Sequence, residues 1–183
     1  MTYEKHNNDP FKGTFGNLEN LVDKISDVLG CPVTIEDANH RLLAYSSHDD
    51  QTDPARIATI IGRRVPEKII NNLWKDGVIQ RLNQTTAPVR ISEITNIGLG
   101  DRVAISIHNK NEVIGYIWVL EVEHRLSEEQ LLLITQAAQT AKNQLLQLQV
   151  RKKRKNNAIR NFSGRYLLDM STPIVKLNRE SNN

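Results

Sequence analysis

The stretch DRVAISIHNKNEVIGYIWVL, residues 101–120, decides the fold. In its first half Val103, Ile105 and Ile107 alternate with Ala104, Ser106 and His108, the two-residue period of a strand. Asn109, Lys110 and Asn111 supply turn chemistry, and residues 113–120, VIGYIWVL, then run apolar almost without interruption. A strand wet on one face would alternate, so the continuous run predicts a central strand covered on both faces. Two antiparallel strands thus form the middle of a sheet, and something must pack on each side of it.

Toward the N-terminus, Val33 and Ile35 alternate with Thr34 and Glu36, residues 37–40 (DANH) turn the chain, and residues 42–45 return as a second hairpin. Ahead of it Leu18, Leu21, Val22, Ile25, Val28 and Leu29 fall three and four apart, between a candidate N-cap at Asn17 and a stop at Gly30. Between the hairpins, Pro54 opens a short helix with Ile57, Ile60 and Ile61 as its apolar face and Gly62 near its end. Pro66 starts another helix over residues 67–75, carrying Ile69, Ile70, Leu73 and Trp74, with Gly77 as its stop. Residues 78–82 add a turn, and residues 88–91 a short strand with proline first. Toward the C-terminus, LSEEQL (residues 126–131) holds a capping box between Ser127 and Gln130 and a staple between Leu126 and Leu131. From there Leu131, Ile134, Ala138, Ala141, Leu145 and Leu148 form a seam at alternating spacings of three and four.

The expected fold is α+β: an antiparallel sheet with terminal helices on one face and a helical insertion on the other, followed by a long C-terminal helix. The segments are a flexible N-terminus (1–16), a folded domain (17–150), a basic connecting helix (151–170) and a disordered tail (171–183). At 183 residues, 39% hydrophobic and 25% charged, the chain is neither a disordered nor a disulfide-dense protein. The N-terminus lacks the apolar core of a signal peptide, and no run suits a membrane span, so the reading is a cytoplasmic protein with no membrane partner. The formal charge of +3 divides unevenly: residues 1–150 carry 15 Lys/Arg against 19 Asp/Glu, net −4, and residues 151–183 carry 9 against 2, net +7.

Chemistry is sparse. Cys31 is the single cysteine, in an apolar flank that reads as a buried structural thiol. The histidines His6, His40, His48, His108 and His124 fit no metal-ligand spacing, and SSHDD around His48 reads as a polar loop. Gly98 and Gly100 give a GxG without the rest of a nucleotide-binding loop, and no nucleophile motif appears. The expectation is a non-enzyme with no catalytic residues, no metal and no cofactor. Binding residues are easier to propose. Tyr45, Ser46 and Ser47 close the first hairpin, Arg56 opens the insertion, and Arg102, Ser106 and Trp118 sit on core strands facing it. Together they would make a mostly apolar pocket in which Arg56 or Arg102 grips a carboxylate. The alternative is that the aromatics are core, with Trp74 packing the insertion down, and the arginines are surface ion pairs.

The segments LGCPVTIEDANHRLLAYSS (29–47), RIATIIGRRVPEKIINNLWKDGVIQRLNQTTAPVRI (56–91), DRVAISIHNKNEVIGYIWVLE (101–121) and LSEEQLLLITQAAQTAKNQLLQLQ (126–149) occur in this order. The pattern, covering residues 17–170, resembles the N-terminal GAF-like sensor region of PucR/CdaR-type bacterial transcriptional regulators. The resemblance implies a domain that senses a small-molecule metabolite, forms a homodimer through its helices, and controls a C-terminal helix-turn-helix. Ala141, Leu145 and Leu148 are the expected dimerisation residues. The sequence ends at Asn183, so the expectation is a product truncated before the DNA-binding domain, touching DNA only through that missing part. Two other readings stay open: nucleic-acid binding through the basic segment 151–165, which contains RKKRK (151–155), and a purely structural dimerisation module.

Overall fold

A computed structural model of the chain describes Pro10, Phe11, Gly13, residues 16–47 and residues 52–169, with side chains to residue 160. His48, Asp49 and Asp50 of the polar SSHDD loop, the tail 171–183 and most of the first 16 residues lie outside the described residues. The chain divides into two compact units, Met1–Leu146 and Gln147–Asn183.

The first unit is built on five antiparallel strands: β1 (Val33–Asp37), β2 (Leu42–Tyr45), β3 (Val89–Ile91), β4 (Arg102–Asn109) and β5 (Glu112–Leu120). They lie in the order β2-β1-β5-β4-β3, so β5, the continuous apolar run, is the central strand. Ile105 faces Ile117 and Ala104 faces Trp118 across β4 and β5. The two-residue period sorts the side chains. Val33, Ile35, Val103, Ile105, Ile107, Ile117 and Val119 form one core, beneath α1 (Leu18–Leu29) and the first turns of α5 (Glu128–Asp169). Ala104, Tyr116 and Trp118 face a second core under the insertion, made of α2 (Pro54–Gly62), α3 (Glu67–Lys75) and α4 (Val78–Gln84). The α+β arrangement, terminal helices on one face and the insertion on the other, is the one the periodicities specify.

Local signals hold at the helix ends. The Asn17 side chain accepts from Glu19 N–H at 2.8 Å, and Gly30 takes the left-handed conformation at φ 66°. Ser127 and Gln130 close the reciprocal box, with Ser127 N–H on Gln130 Oε1 at 2.9 Å and Gln130 N–H on Ser127 Oγ at 3.3 Å. The entry to α5 is further tied down by Arg90, whose guanidinium donates to both Glu121 Oε1 and the Leu126 carbonyl oxygen.

Four expectations need correction. Phe11 is fully buried in the α1-side core, so the segment 1–16 is packed against the domain at this residue. In α2 the three isoleucines do not form an inward face: Ile57 is 42% and Ile61 79% exposed and Ile60 is half-buried, while Ala55, Arg56 and Thr59 are buried. Trp74 is 44% exposed and does not pin the insertion down. The seam on α5 is also not a free one. Ala141 and Leu145 are buried in the core of their own chain, and of the three residues expected to dimerise only Leu148, in the second unit, is exposed. The reason is that β4 and β5 already present an apolar face along the first half of the helix, and intrachain contact covers it. Residues 147–160 of the second unit, including the basic run 151–155, are helical and exposed.

Candidate functional site

The inverted orientation of α2 follows from how its N-terminus is docked. Asp53 caps the helix, Oδ1 accepting from Arg56 N–H at 2.7 Å, while Oδ2 accepts from Gly100 N–H at 2.7 Å and from the Arg102 guanidinium. Ala55 N–H donates to the Gly98 carbonyl at 3.1 Å, and Pro54 sits where a Gly98 side chain would be, 2.9 Å from an ideal Cβ. Gly98 also has φ 65°, so a side chain there would be strained as well as crowded. With the first turn clamped to the approach of β4, the phase of the helix is set. Arg56 and Thr59 point at the sheet, and Ile57 and Ile61 at solvent.

Beneath α2 and α3 lies a small cavity of ≈ 30 Å³, room for roughly one or two waters. Its polar lining is Thr34, Glu36, Arg56, Thr59, Arg102 and the Trp118 indole, and the rest is aliphatic. Of the residues expected to bind, Arg56, Arg102 and Trp118 meet here. Tyr45 and Ser47 do not; both are exposed, because the strand period turns them outward, and it is Ser46 between them that is buried. Ser46 Oγ accepts from Val33 N–H at 2.9 Å and its carbonyl accepts from Arg56 Nη2–H at 2.9 Å. Ser106 faces the insertion but outside this cavity. Its hydroxyl lies 2.6 Å from the Leu82 carbonyl oxygen, 2.9 Å from that of Thr85 and 2.8 Å from His108 Nε2, tying the end of α4 to the sheet.

Glu36, Thr34 and Thr59 were missed. Polar residues alternating with apolar ones on β1 read as a wet face, and only the covering insertion turns them into a buried one. Glu36 is 3% exposed, and its hydrogen bond from His40 Nδ1 to Oε2 is long, at 3.3 Å. His40 occupies the left-handed region at φ 58° in the β1–β2 turn and stacks on Tyr116, ring centres 5.0 Å apart and planes 13° apart. Burial raises the Glu36 pKa above its ordinary value, opposed by His40, the Trp118 N–H and the Arg102 charge. Burial pushes the Arg56 guanidinium down to about 10, with Asp53 opposing and Arg102 reinforcing the shift, so it keeps its charge at neutral pH. The Tyr116 hydroxyl, donating to Asn83 Oδ1 at 2.8 Å, is pushed up to about 12 by burial and by Glu36.

The Arg102 guanidinium donates to Asp53, and its Nε–H meets the Gly100 carbonyl at 3.1 Å. The Arg56 Nε–H is buried without a hydrogen-bond partner, whereas the Trp118 Nε1–H lies against Glu36, whose charged form it favours. A buried donor without an acceptor costs about 1–3 kcal/mol, a local destabilisation that the fold carries at Arg56. The Cys31 thiol lies elsewhere, buried and pushed up to about 11 by burial, with Glu121 and Glu123 adding to it, so it is unreactive. Among the described residues no group of three or more His, Cys, Asp or Glu could hold a metal ion, and no helix is long and apolar enough to cross a membrane.

The charged cavity has a testable consequence for stability. The Glu36 pKa is raised in the folded chain, so folding binds a proton, and this group's contribution falls as pH rises from 4.5 through the higher folded value. Glu36→Gln, which still accepts from His40, is expected to raise the Tm at pH 8 and to flatten the decline between pH 4.5 and 8. An unchanged slope in thermal melts of the variant would assign the decline to other groups.

The curated relatives of the chain are transcriptional regulators. It is similar to the DNA-binding transcriptional activator AdeR of Bacillus subtilis (strain 168), 56% identical over 155 residues, which are 85% of this chain and 37% of that protein. It is also similar to the proline-responsive transcriptional activator PutR of the same organism, 39% identical over 119 residues, 64% of this chain and 29% of that protein. The chain therefore spans less than two fifths of the length of these relatives. No family model matches it. Among solved structures it aligns with the GAF domain of an Acinetobacter phosphoenolpyruvate-protein phosphotransferase, at 10% identity and TM-score 0.48 over 73% of this chain and 82% of that one. It also aligns with the cofactor-binding GAF domain of the nutrient sensor CodY from Clostridium difficile, at 12% identity and TM-score 0.46 over 71% and 85%.

Proposed function

We propose that this chain is the ligand-sensing, non-enzymatic region of a PucR/CdaR-like transcriptional activator, GAF-like in architecture, with the cavity beneath α2 as its metabolite site. The observation that carries this reading is the buried, unpartnered Arg56 Nε–H, on a residue that lines the cavity and belongs to a helix whose Ile57 and Ile61 face solvent. A helix shaped by stability alone would bury Ile57 and Ile61 and expose Arg56. The names of the relatives support a regulatory role, and one of them is described as responsive to a small molecule, proline. On this reading DNA is contacted by the remainder of such a regulator's length. The homodimer contact lies in the second unit, where Leu148, Val150 and Ile159 are exposed apolar residues on a charged helix.

The test is a thermal-shift screen of amino acids, small carboxylates and purines. A compound at 100 times its Kd adds about 2.7 kcal/mol to the folded state. For a chain of this size that raises the Tm by roughly 5–10 °C. No shift across the panel would overturn the sensing role.

A further inference from the structure

We propose that the open edge of β4, residues 106–109, docks an acidic, extended segment of a partner protein as an added strand. β4 runs from Arg102 to Asn109, but β3 pairs only with its residues Arg102, Val103 and Ala104. The chain itself does not continue that pairing: Pro88, which lacks an N–H, precedes β3, and the Ala87 N–H turns back to Thr85 Oγ1 at 3.0 Å. The hydrogen-bond phase along β4 fixes which groups face the open side. The Glu121 N–H donates to the Asp101 carbonyl, so in this register Val103, Ile105 and Ile107 bond to β5. The two-residue period then turns the backbone N–H and C=O of Ser106 and His108 outward, and Asn109, opposite Glu112 at the turn, keeps that phase. Beside this edge runs a groove of ≈ 450 Å³, between Thr86 and the face of α5 that carries Ala138 and Lys142, with room for a few residues of extended chain. Its charge selects the occupant. His108, Lys110 and Lys142 line the groove and no Asp or Glu does, and among the described residues neither lysine is in an ion pair. A second copy of the same edge would set these cations against one another, which opposes pairing of the chain with itself. A strand with carboxylates at alternate positions meets the outward backbone groups and brings its charges over Lys142.

Calorimetric titration and amide hydrogen exchange of the full chain test this, with an end-blocked eight-residue peptide of alternating Glu and Val as the probe. The acidic peptide is expected to bind at least tenfold more tightly than its Lys and Val counterpart, and than the same sequence with alternate backbone amides N-methylated. Its binding is expected to slow exchange at the Ser106 and His108 amides at least tenfold and to leave Ile105 and Ile107, already bonded to β5, unchanged. Lys110→Asn, which suits the left-handed φ of 57° at that position, combined with Lys142→Gln is expected to weaken binding at least fivefold at an unchanged Tm. Equal binding of the N-methylated peptide, or protection elsewhere than at Ser106 and His108, would overturn strand addition. Equal binding of the Lys counterpart would overturn the acidic class. Binding of inorganic phosphate or succinate but of no peptide would make the groove a small-anion site and overturn the docking role. Protection of the two amides in the free chain that fades on dilution would give the edge to a second copy instead. Silence from every probe would leave the lysines as guards of a bare edge, and the proposal would fall.

Discussion

Leu145→Lys is expected to abolish the cooperative thermal transition and the folded circular-dichroism signature of the chain. Leu145 is 3% exposed and lies against β5, its Cδ1 2.9 Å from where a Gly115 side chain would begin. A lysine there places an ammonium in the apolar α1-side core, beside β5. Burying an unpaired charge costs more than about 4–5 kcal/mol, a large part of the 5–15 kcal/mol that holds a domain folded. Leu148→Lys, three residues on at a position 42% exposed, is expected to leave the melting curve unchanged and, on the proposed homodimer contact, to give monomers in light scattering. The pair separates two roles that one heptad-like seam runs together. A folded, merely monomeric Leu145→Lys chain would show that this part of α5 is an interface and not a core.

Gly115→Ala is expected to lower the Tm by roughly 5–10 °C, the consequence of about 2–3 kcal/mol of overpacking. A Cβ on Gly115 would lie 2.5 Å from the Glu36 carbonyl oxygen and 2.9 Å from Leu145 Cδ1. The leucine tip can swing aside. The carbonyl cannot, because β1 and β5 pair there, Asp37 opposite Gly115 and Glu36 opposite Tyr116. Relief therefore requires a shift of β1 at the residue whose side chain lines the cavity, so the variant should also bind ligand less well. Differential scanning calorimetry reads the first effect, and a Tm within 2 °C of the parent would show that the two strands separate there at little cost.

The fold was legible in the sequence wherever one local rule acted alone. The alternation of residues 103–107, the unbroken run 113–120, the Asn17 and Gly30 caps and the Ser127–Gln130 box each specify a backbone state from neighbouring letters, and the structure holds all of them. The site was legible only in part, because its residues owe their burial to distant ones. Arg56, Arg102 and Trp118 stood out by type. Glu36 and Thr34 did not, since an alternating strand marks them as the wet face until an insertion some 20 residues further on covers it. The α2 isoleucines misled for the same reason: the phase of a nine-residue helix was set by Asp53, through bonds to Gly100 and Arg102 nearly fifty residues away. The hairpin-closing position drew in Tyr45, Ser46 and Ser47 alike, and only the fold separates them: Tyr45 and Ser47 are exposed, whereas the buried serine bonds Val33 and Arg56.

The burial of Phe11 bears on where this domain can be cut. Periodicity starts at Asn17, and an expressed fragment or protease-trimmed product beginning there would look complete by every pattern in the sequence. It would nonetheless lack an aromatic ring that is wholly enclosed with Leu21, Ile25 and the rest of the α1-side core. A void of that size loosens the packing of α1 on the sheet, so a shortened chain could lose its ligand response through softening alone, with every residue of the cavity intact. The functional boundary of the domain is the last side chain its core encloses, and it lies at least six residues before the first helix-forming signal.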